Sequence, residues 1–252
     1  MAVTRGRLAM SDIWIQEGAR SSRFTTDPAD DRIAVWSPDG KQLVFSSNRS
    51  GSMDLYRKRA DGMSSEELLL HTDVVKFATS WSPDGRTLLY WSDERGGGDI
   101  MVLPMTGDRK PFAFLSTDFN EEMATFSPDG RWVAYDSNES GRYEVYLRPF
   151  PGPGAAWQVS TGGGREPRWR AAGKELYFLA PDSNLMAAPV TVHDTTIATG
   201  TPQALFRTHS TVAPGKQQYD VARDGRFLIV TELESTSAEP IHILLNWKPP
   251  AK

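Results

Sequence analysis

The sequence predicts an all-β chain built of repeated four-stranded antiparallel units, the arrangement of a β-propeller. Three observations carry this. The tetrapeptide Ser-Pro-Asp-Gly occurs at Ser37-Pro38-Asp39-Gly40, Ser82-Pro83-Asp84-Gly85 and Ser127-Pro128-Asp129-Gly130, at intervals of 45 residues. Around each copy the same order of apolar runs and polar breaks returns. Gly and Pro punctuate the chain every 8–12 residues, and no stretch shows a convincing helical period. Four short strands repeated every 43–52 residues is the spacing of propeller blades.

Within each unit a first run ends in Trp36, Trp81, Phe126, Trp169 or Val221. The turn follows, and then a second run: Leu43-Val44-Phe45, Leu88-Leu89-Tyr90, Trp132-Val133-Ala134-Tyr135, Leu176-Tyr177-Phe178 or Phe227-Leu228-Ile229-Val230. A polar loop separates this from a third run, such as Asp54-Leu55-Tyr56 or Glu144-Val145-Tyr146-Leu147, and a fourth run precedes the next unit. Runs rich in aromatic and β-branched residues between Gly/Pro/Asx breaks read as strands joined by hairpins. The turn itself explains its four letters. Pro presets φ at the second position, Asp suits the third, and Gly takes the positive φ that closes the hairpin.

Counted this way, the chain is a single domain with a partial blade over 11–27, full blades over about 31–72, 76–117, 122–161 and 166–208, and a last blade over 217–247. Residues 1–10 and 248–252 read as tails. Asp12-Ile13-Trp14-Ile15 and Arg23-Phe24-Thr25-Thr26 are expected to be the third and fourth strands of the first blade. Arg7-Leu8-Ala9-Met10 could be a remnant second strand, but leaves no room for a proper hairpin. The last strand is expected over Ile241–Trp247. About 21 strands result, where six closed blades need 24, so the reading is a six-bladed type with an incomplete first blade.

Composition narrows the function. The 252 residues carry a net charge of −4 with acids and bases interspersed, which argues against a nucleic-acid footprint. No apolar run approaches the roughly 20 residues of a membrane helix, and no signal peptide is visible. There is no cysteine, so disulfides and thiolate chemistry are excluded.

The unit W-S-P-D-G-[KR]-x-[LV]-x-[FY]-x-S-[ND]-x-x-G-x-x-[DE], matched almost letter by letter over 31–148, resembles the WD-repeat-like (PD-repeat) units of TolB-type propellers. The segments RPFPGPGAAWQVSTGGGREPRW (148–169), YDVARDGRFLIV (219–230) and ILLNWKP (243–249) are similar to the C-terminal propeller of bacterial receptor-type serine/threonine kinases. The kinase motifs themselves are absent, so kinase activity is not carried over. The resemblance implies a periplasmic or otherwise extracytoplasmic bacterial protein that binds envelope partners.

No catalytic motif is expected to act here. Gly96-Gly97-Gly98 and Gly162-Gly163-Gly164 lack the Lys-Ser/Thr and helix of a phosphate loop. The four histidines, His71, His193, His209 and His242, do not sit at ligand spacing. The Asp-rich loops lack the Ca²⁺-loop pattern, so no metal and no cofactor are expected. The Trp36/Trp81/Phe126/Trp169 column reads as packing between blades. The informative positions are the loops leading into each innermost strand, on the face opposite the Ser-Pro-Asp-Gly hairpins. They place Asp31, Arg32, Lys76, Glu121, Glu122, Arg165, Glu166, Gln217 and Gln218 at the expected channel mouth. The expected function is a non-catalytic, monomeric module that grips a protein, a peptide end or a small ligand there. The alternative is a propeller lyase, lactonase or hydrolase in which His71 and His209 converge with carboxylates. A third possibility is a non-autonomous fragment.

Overall fold

The computed structural model describes residues 1–7, 10–94, 96–193, 196–210 and 217–231. Every regular element in them is a strand. Two compact units are present, Met1–Ala124 and Thr125–Lys252.

The first unit opens with a three-stranded sheet of β1 (Ala2–Arg7), β2 (Met10–Glu17) and β3 (Arg20–Arg23). This corrects the reading of residues 1–10 as a tail. β1 pairs with β2 along its whole length, from Ala2↔Ile15 to Arg7↔Met10. Gly6, at φ 147°, makes room for it, since a Cβ there would lie 2.2 Å from the Met10 carbonyl oxygen. The run Arg23–Thr26 is likewise not a strand beyond its first residue. Phe24 and Thr25 instead donate their amides back to the Ile13 carbonyl.

Two four-stranded sheets follow, each in sequential antiparallel order. The first holds β4 (Asp31–Trp36), β5 (Gln42–Ser47), β6 (Asp54–Arg59) and β7 (Glu67–Leu70). The second holds β8 (Lys76–Trp81), β9 (Thr87–Ser92), β10 (Asp99–Pro104) and β11 (Phe112–Leu115). The division between the units falls inside β12 (Glu121–Phe126), which leads a sheet with β13 (Trp132–Ser137), β14 (Glu144–Pro149) and β15 (Trp157–Gln158).

In the second unit a five-stranded sheet contains β16 (Arg165–Trp169), β17 (Glu175–Leu179), β18 (Asn184–His193), β19 (Thr196–Thr199) and β20 (Gln203–Arg207). The first half of β18 pairs with β20 and the second half with β19, a strand the apolar pattern does not announce. A two-stranded sheet, β21 (Tyr219–Val221) and β22 (Phe227–Ile229), ends the described chain. The expected strand at Ile241–Trp247, His242 and the loop residues 211–216 lie outside the described residues.

The repeated turn has one geometry. Ser37 Oγ donates to Asp39 Oδ1 at 2.6 Å and accepts from the Gln42 amide, while the Lys41 amide donates to Asp39 Oδ1. Ser82 and Ser127 repeat this with Asp84 and Asp129, again at 2.6 Å. These bonds pull all three carboxyls below the usual carboxylate range: at Asp39 and Asp84 the serine hydroxyl leads, and at Asp129 burial opposes but does not prevent it. Gly40, Gly85 and Gly130 sit at φ 69°, 74° and 72°, where an L side chain is disfavoured. The worn copies keep the backbone bond from Gly173 to Arg170 and from Gly225 to Ala222 without the Ser-Pro.

Each unit has its own core. Val44, Leu55, Ala78, Leu88, Tyr90 and Leu103 pack together in the first, flanked by Trp81. Trp132, Val145, Leu147, Trp169, Leu176 and Phe178 do so in the second. Burying each such side chain contributes roughly 1.5–3 kcal/mol. Trp36, Trp81, Phe126 and Trp169 serve this packing: Phe126 meets Phe150 edge-on at 4.9 Å, and the other three join core clusters.

Candidate functional site

One register rule positions the polar chemistry. β5, β9 and β13 end at Ser47, Ser92 and Ser137, and these pair with Asp54, Asp99 and Glu144 at the start of the following strand. The three acids are fully buried. Asp54 and Glu144 bind the loop that leads into the next sheet. Glu144 accepts the Ser160 hydroxyl and the Gly163 amide, the latter at 2.9 and 3.0 Å. A second rule is a bulge in the innermost strand. Register shifts fall between Arg32 and Val35, Ala78 and Ser80, and Arg165 and Arg168. The residue three before the aromatic is left-handed at Ile33 (φ 48°), Met123 (φ 48°) and Glu166 (φ 56°), which is a costly conformation for a residue with a side chain.

In the second unit these rules assemble a charged cluster. The bulge buries Glu166 to 2% exposure. Its amide donates to Asp136 Oδ2 at 2.9 Å, and its Oε2 accepts the Gln218 amide at 2.7 Å. Tyr219 donates its hydroxyl to the Glu166 carbonyl at 2.8 Å. Arg165 pairs with Asp136 at 3.4 Å and lies over the Tyr143 ring, 3.6 Å from its centroid. Glu166 Oε1 is buried with no hydrogen-bond partner among the described residues. Burial pushes the Glu166 carboxyl up to about 7, with Asp136 adding to the push, against the Gln218 amide and the charges of Arg168 and Arg165. Burial also raises the Tyr219 phenol well above its ordinary value.

The first unit holds two comparable networks. Asp54 is 0% exposed and Lys76 1% exposed, with Lys76 Nζ 2.9 Å from Asp54 Oδ1. Lys76 also donates to the Thr72 carbonyl and hydroxyl and to the Val74 carbonyl. His71 Nδ1 lies 2.6 Å from Asp54 Oδ2 with its side chain 50% exposed. Burial works to raise the Asp54 carboxyl, but His71, Ser50, Lys76 and the Thr72 amide together hold it at about 2. In the other network Arg49 makes a forked contact to Asp31 at 3.0 and 3.1 Å, pairs with Glu66, and lies over the Tyr56 ring at 4.6 Å. Lys58 completes it through Glu66 at 3.2 Å. Burial raises the Asp31 carboxyl despite Ser47, Thr25 and Arg49.

The residues predicted from sequence therefore divide. Arg165, Glu166 and Gln218 come together around Asp136. Asp31, Lys76 and Glu121 are buried, and are occupied by Arg49, by Asp54 and by the Thr117 hydroxyl. Arg32, which pairs with Asp30 at 2.6 Å, and Glu122 are half-buried, while Gln217 is exposed. His71 is held by Asp54, and His209 is exposed at φ 57°. Sequence reading passes over Asp54, Asp136, Arg49 and Tyr143. The [DE] letter of the repeat was the available signal for Asp54; Asp136 stands at the variable position before Ser137, where the other copies have Ser46 and Trp91, so the repeat carries no signal for it. Among the described residues no three His, Asp or Glu side chains are grouped to hold a metal ion.

No protein-family model matches this chain, and no curated protein matches it by sequence. Solved structures do. TolB from Acinetobacter baumannii superposes with a TM-score of 0.70 at 17% identity, over 89% of this chain and 55% of that one. A putative TolB from Agrobacterium tumefaciens gives 0.63 at 16% identity, over 81% and 77%. A puromycin-hydrolysing peptidase from Mycobacterium tuberculosis gives 0.63 at 17% identity, over 88% of this chain and 40% of that one. The chain spans about half the length of the A. baumannii protein. These likenesses show the fold: this is a TolB-like β-propeller.

Proposed function

We propose that the chain is a non-catalytic binding module, a propeller of six-bladed type acting outside the cytoplasm of a bacterium. It grips a protein or peptide partner through the loops that lead into its innermost strands. One observation carries this reading. The Ser-Pro-Asp-Gly hairpins are closed on themselves by the same bonds in each copy, whereas the loops leading into the innermost strands differ in charge from sheet to sheet and are held rigid by buried ion pairs. Rigid, chemically varied loops on a repetitive scaffold are suited to recognition. The kinase-type resemblance of 148–169 and 219–230 makes a sensor domain of a larger membrane protein the natural setting.

The test uses residues that reach solvent. Peptides selected by display on the folded chain should lose at least tenfold in affinity on Arg32→Ala, Glu122→Ala, Arg165→Ala or Gln217→Ala. Asp39→Asn and Asp84→Asn, on the hairpins, should leave binding unchanged. Peptides that respond to the hairpin substitutions and ignore the other four would refute the proposal.

A second reading, hydrolysis, is favoured by one feature. His71 is oriented by the buried Asp54 carboxylate and keeps half its side chain in solvent, as a general base would. Against it, the peptidase likeness leaves 60% of that other chain unmatched (100% less the 40% covered). Hydrolysis of activated esters that disappears in His71→Ala would favour this reading over the first.

A further inference from the structure

We propose that Glu166 is a proton-operated latch: protonated, it fastens the β21–β22 hairpin to β16, and ionised, it makes that hairpin open more often, against the apolar packing of Tyr219, Phe227 and Ile229. The inference does not rest on the binding proposal.

The geometry sets the argument. The left-handed residue of an innermost strand is apolar at Ile33 and Met123, and at Glu166 it is an acid in the same backbone conformation. The hairpin meets Glu166 twice, through the Gln218 amide on Oε2 and through the Tyr219 hydroxyl on the main-chain carbonyl. On the opposite side the Glu166 amide is tied to Asp136 of β13. The carboxyl therefore lies between two sheets, with Oε1 buried and, among the described residues, unpartnered. A neutral carboxyl tolerates that place. An ionised one leaves an oxygen unsatisfied in the interior with the Asp136 carboxylate as a neighbour.

Facing groups do not remove the conflict. From β13 comes Asp136. From β16 come Arg165, already paired with Asp136 and stacked on Tyr143, and Arg168, which donates to the Pro167 carbonyl. From β21 come Tyr219 and Asp220, and Tyr177 of β17 is near Tyr219. The two arginines favour ionisation, but burial outweighs them and the carboxyl titrates at about 7. Undocking the hairpin admits water and restores the ordinary value of 4.5. Opening is then driven by rising pH. With these two values the opening constant increases about 70-fold between pH 5 and pH 8.

Hydrogen exchange on the full chain tests this. The Gln218 amide bonds to Glu166, and the Val230 amide bonds to the Gln218 carbonyl. Their protection factors, referred to the intrinsic exchange rate at each pH, should fall about 70-fold from pH 5 to pH 8. Those of Val159 and Phe150, bonded to Val145 and Arg131 in another sheet, should stay level. Glu166→Gln should flatten the Gln218 and Val230 profiles. Asp136→Asn should move their midpoint to lower pH, and does so even where Glu166→Gln fails to fold. A carbon-13 titration of the wild-type Glu166 carboxyl should show a midpoint near 7. Level profiles at Gln218 and Val230, an unchanged slope in Glu166→Gln, or a carboxyl midpoint near 4.5 would each overturn the latch.

Discussion

Removing one side of the Asp54–Lys76 pair tests whether the loops leading into the innermost strands are held by buried charge. Asp54→Asn leaves the Lys76 ammonium, 1% exposed, with neutral acceptors only. Two estimates converge on the cost. A carboxyl that ionises at about 2 in the folded chain and at 3.8 when exposed contributes about 2.4 kcal/mol at neutral pH. That contribution is complete above 3.8 and is lost as pH falls through about 2. Stranding a buried cation adds to it, and one-sided disruption of buried pairs costs about 3–5 kcal/mol. Lys76→Met should cost less, because Asp54 keeps His71, Ser50 and the Thr72 amide. The double variant Asp54→Asn/Lys76→Met should regain at least about 1 kcal/mol of the single loss. Urea denaturation at pH 7, followed by tryptophan fluorescence, reads all four proteins. A loss below about 1 kcal/mol for Asp54→Asn, or a double variant as unstable as the sum of the singles, would refute the reasoning.

Two further substitutions address the scaffold. Gly98→Ala would place a Cβ 2.0 Å from Trp91 Nε1, on an indole already stacked against Phe77, and should cost about 1–3 kcal/mol, seen as a lower melting temperature and altered near-ultraviolet dichroism. Ser82→Ala removes the hydroxyl that bonds Asp84 and the Thr87 amide, and should cost about 1–2 kcal/mol in urea denaturation with no change at sites outside its sheet.

The repeat was legible because its signal is local. A Ser-Pro-Asp-Gly turn is specified by four adjacent residues, and its phase orders the strands on either side. β1 was not legible for the opposite reason. Its sequence, AVTRGR, offers weak apolar alternation, and its pairing depends on Gly6 passing close to Met10. β19 was hidden because the long β18 changes partners halfway. At the site, sequence located the charged positions without revealing their burial. Burial depends on partners brought in from elsewhere: Arg49 reaches Asp31 across 18 residues, and Gln218 reaches Glu166 across 52.

The same contrast separates scaffold from chemistry at the bulge. Where the backbone alone matters, the left-handed position accepts Ile33 or Met123, and the side chain adds only packing. An acid there gains nothing for packing and must be kept neutral or paired. Among the described residues Glu166 is paired at one oxygen and bare at the other, next to Asp136 and against the β21–β22 hairpin. The hairpin is also seated by packing: Tyr219, Phe227 and Ile229 are buried with Tyr177, Leu179, Leu185 and Ala187, and Phe227 meets the Tyr177 ring edge-on at 5.0 Å. Two of its hydrogen bonds, from Gln218 and Tyr219, run through this one residue. The state of a single proton therefore biases the opening of a hairpin that apolar packing otherwise holds down. That is the physical condition for a switch, and the apolar residues at the equivalent positions of the other innermost strands, Ile33, Ala78 and Met123, do not meet it.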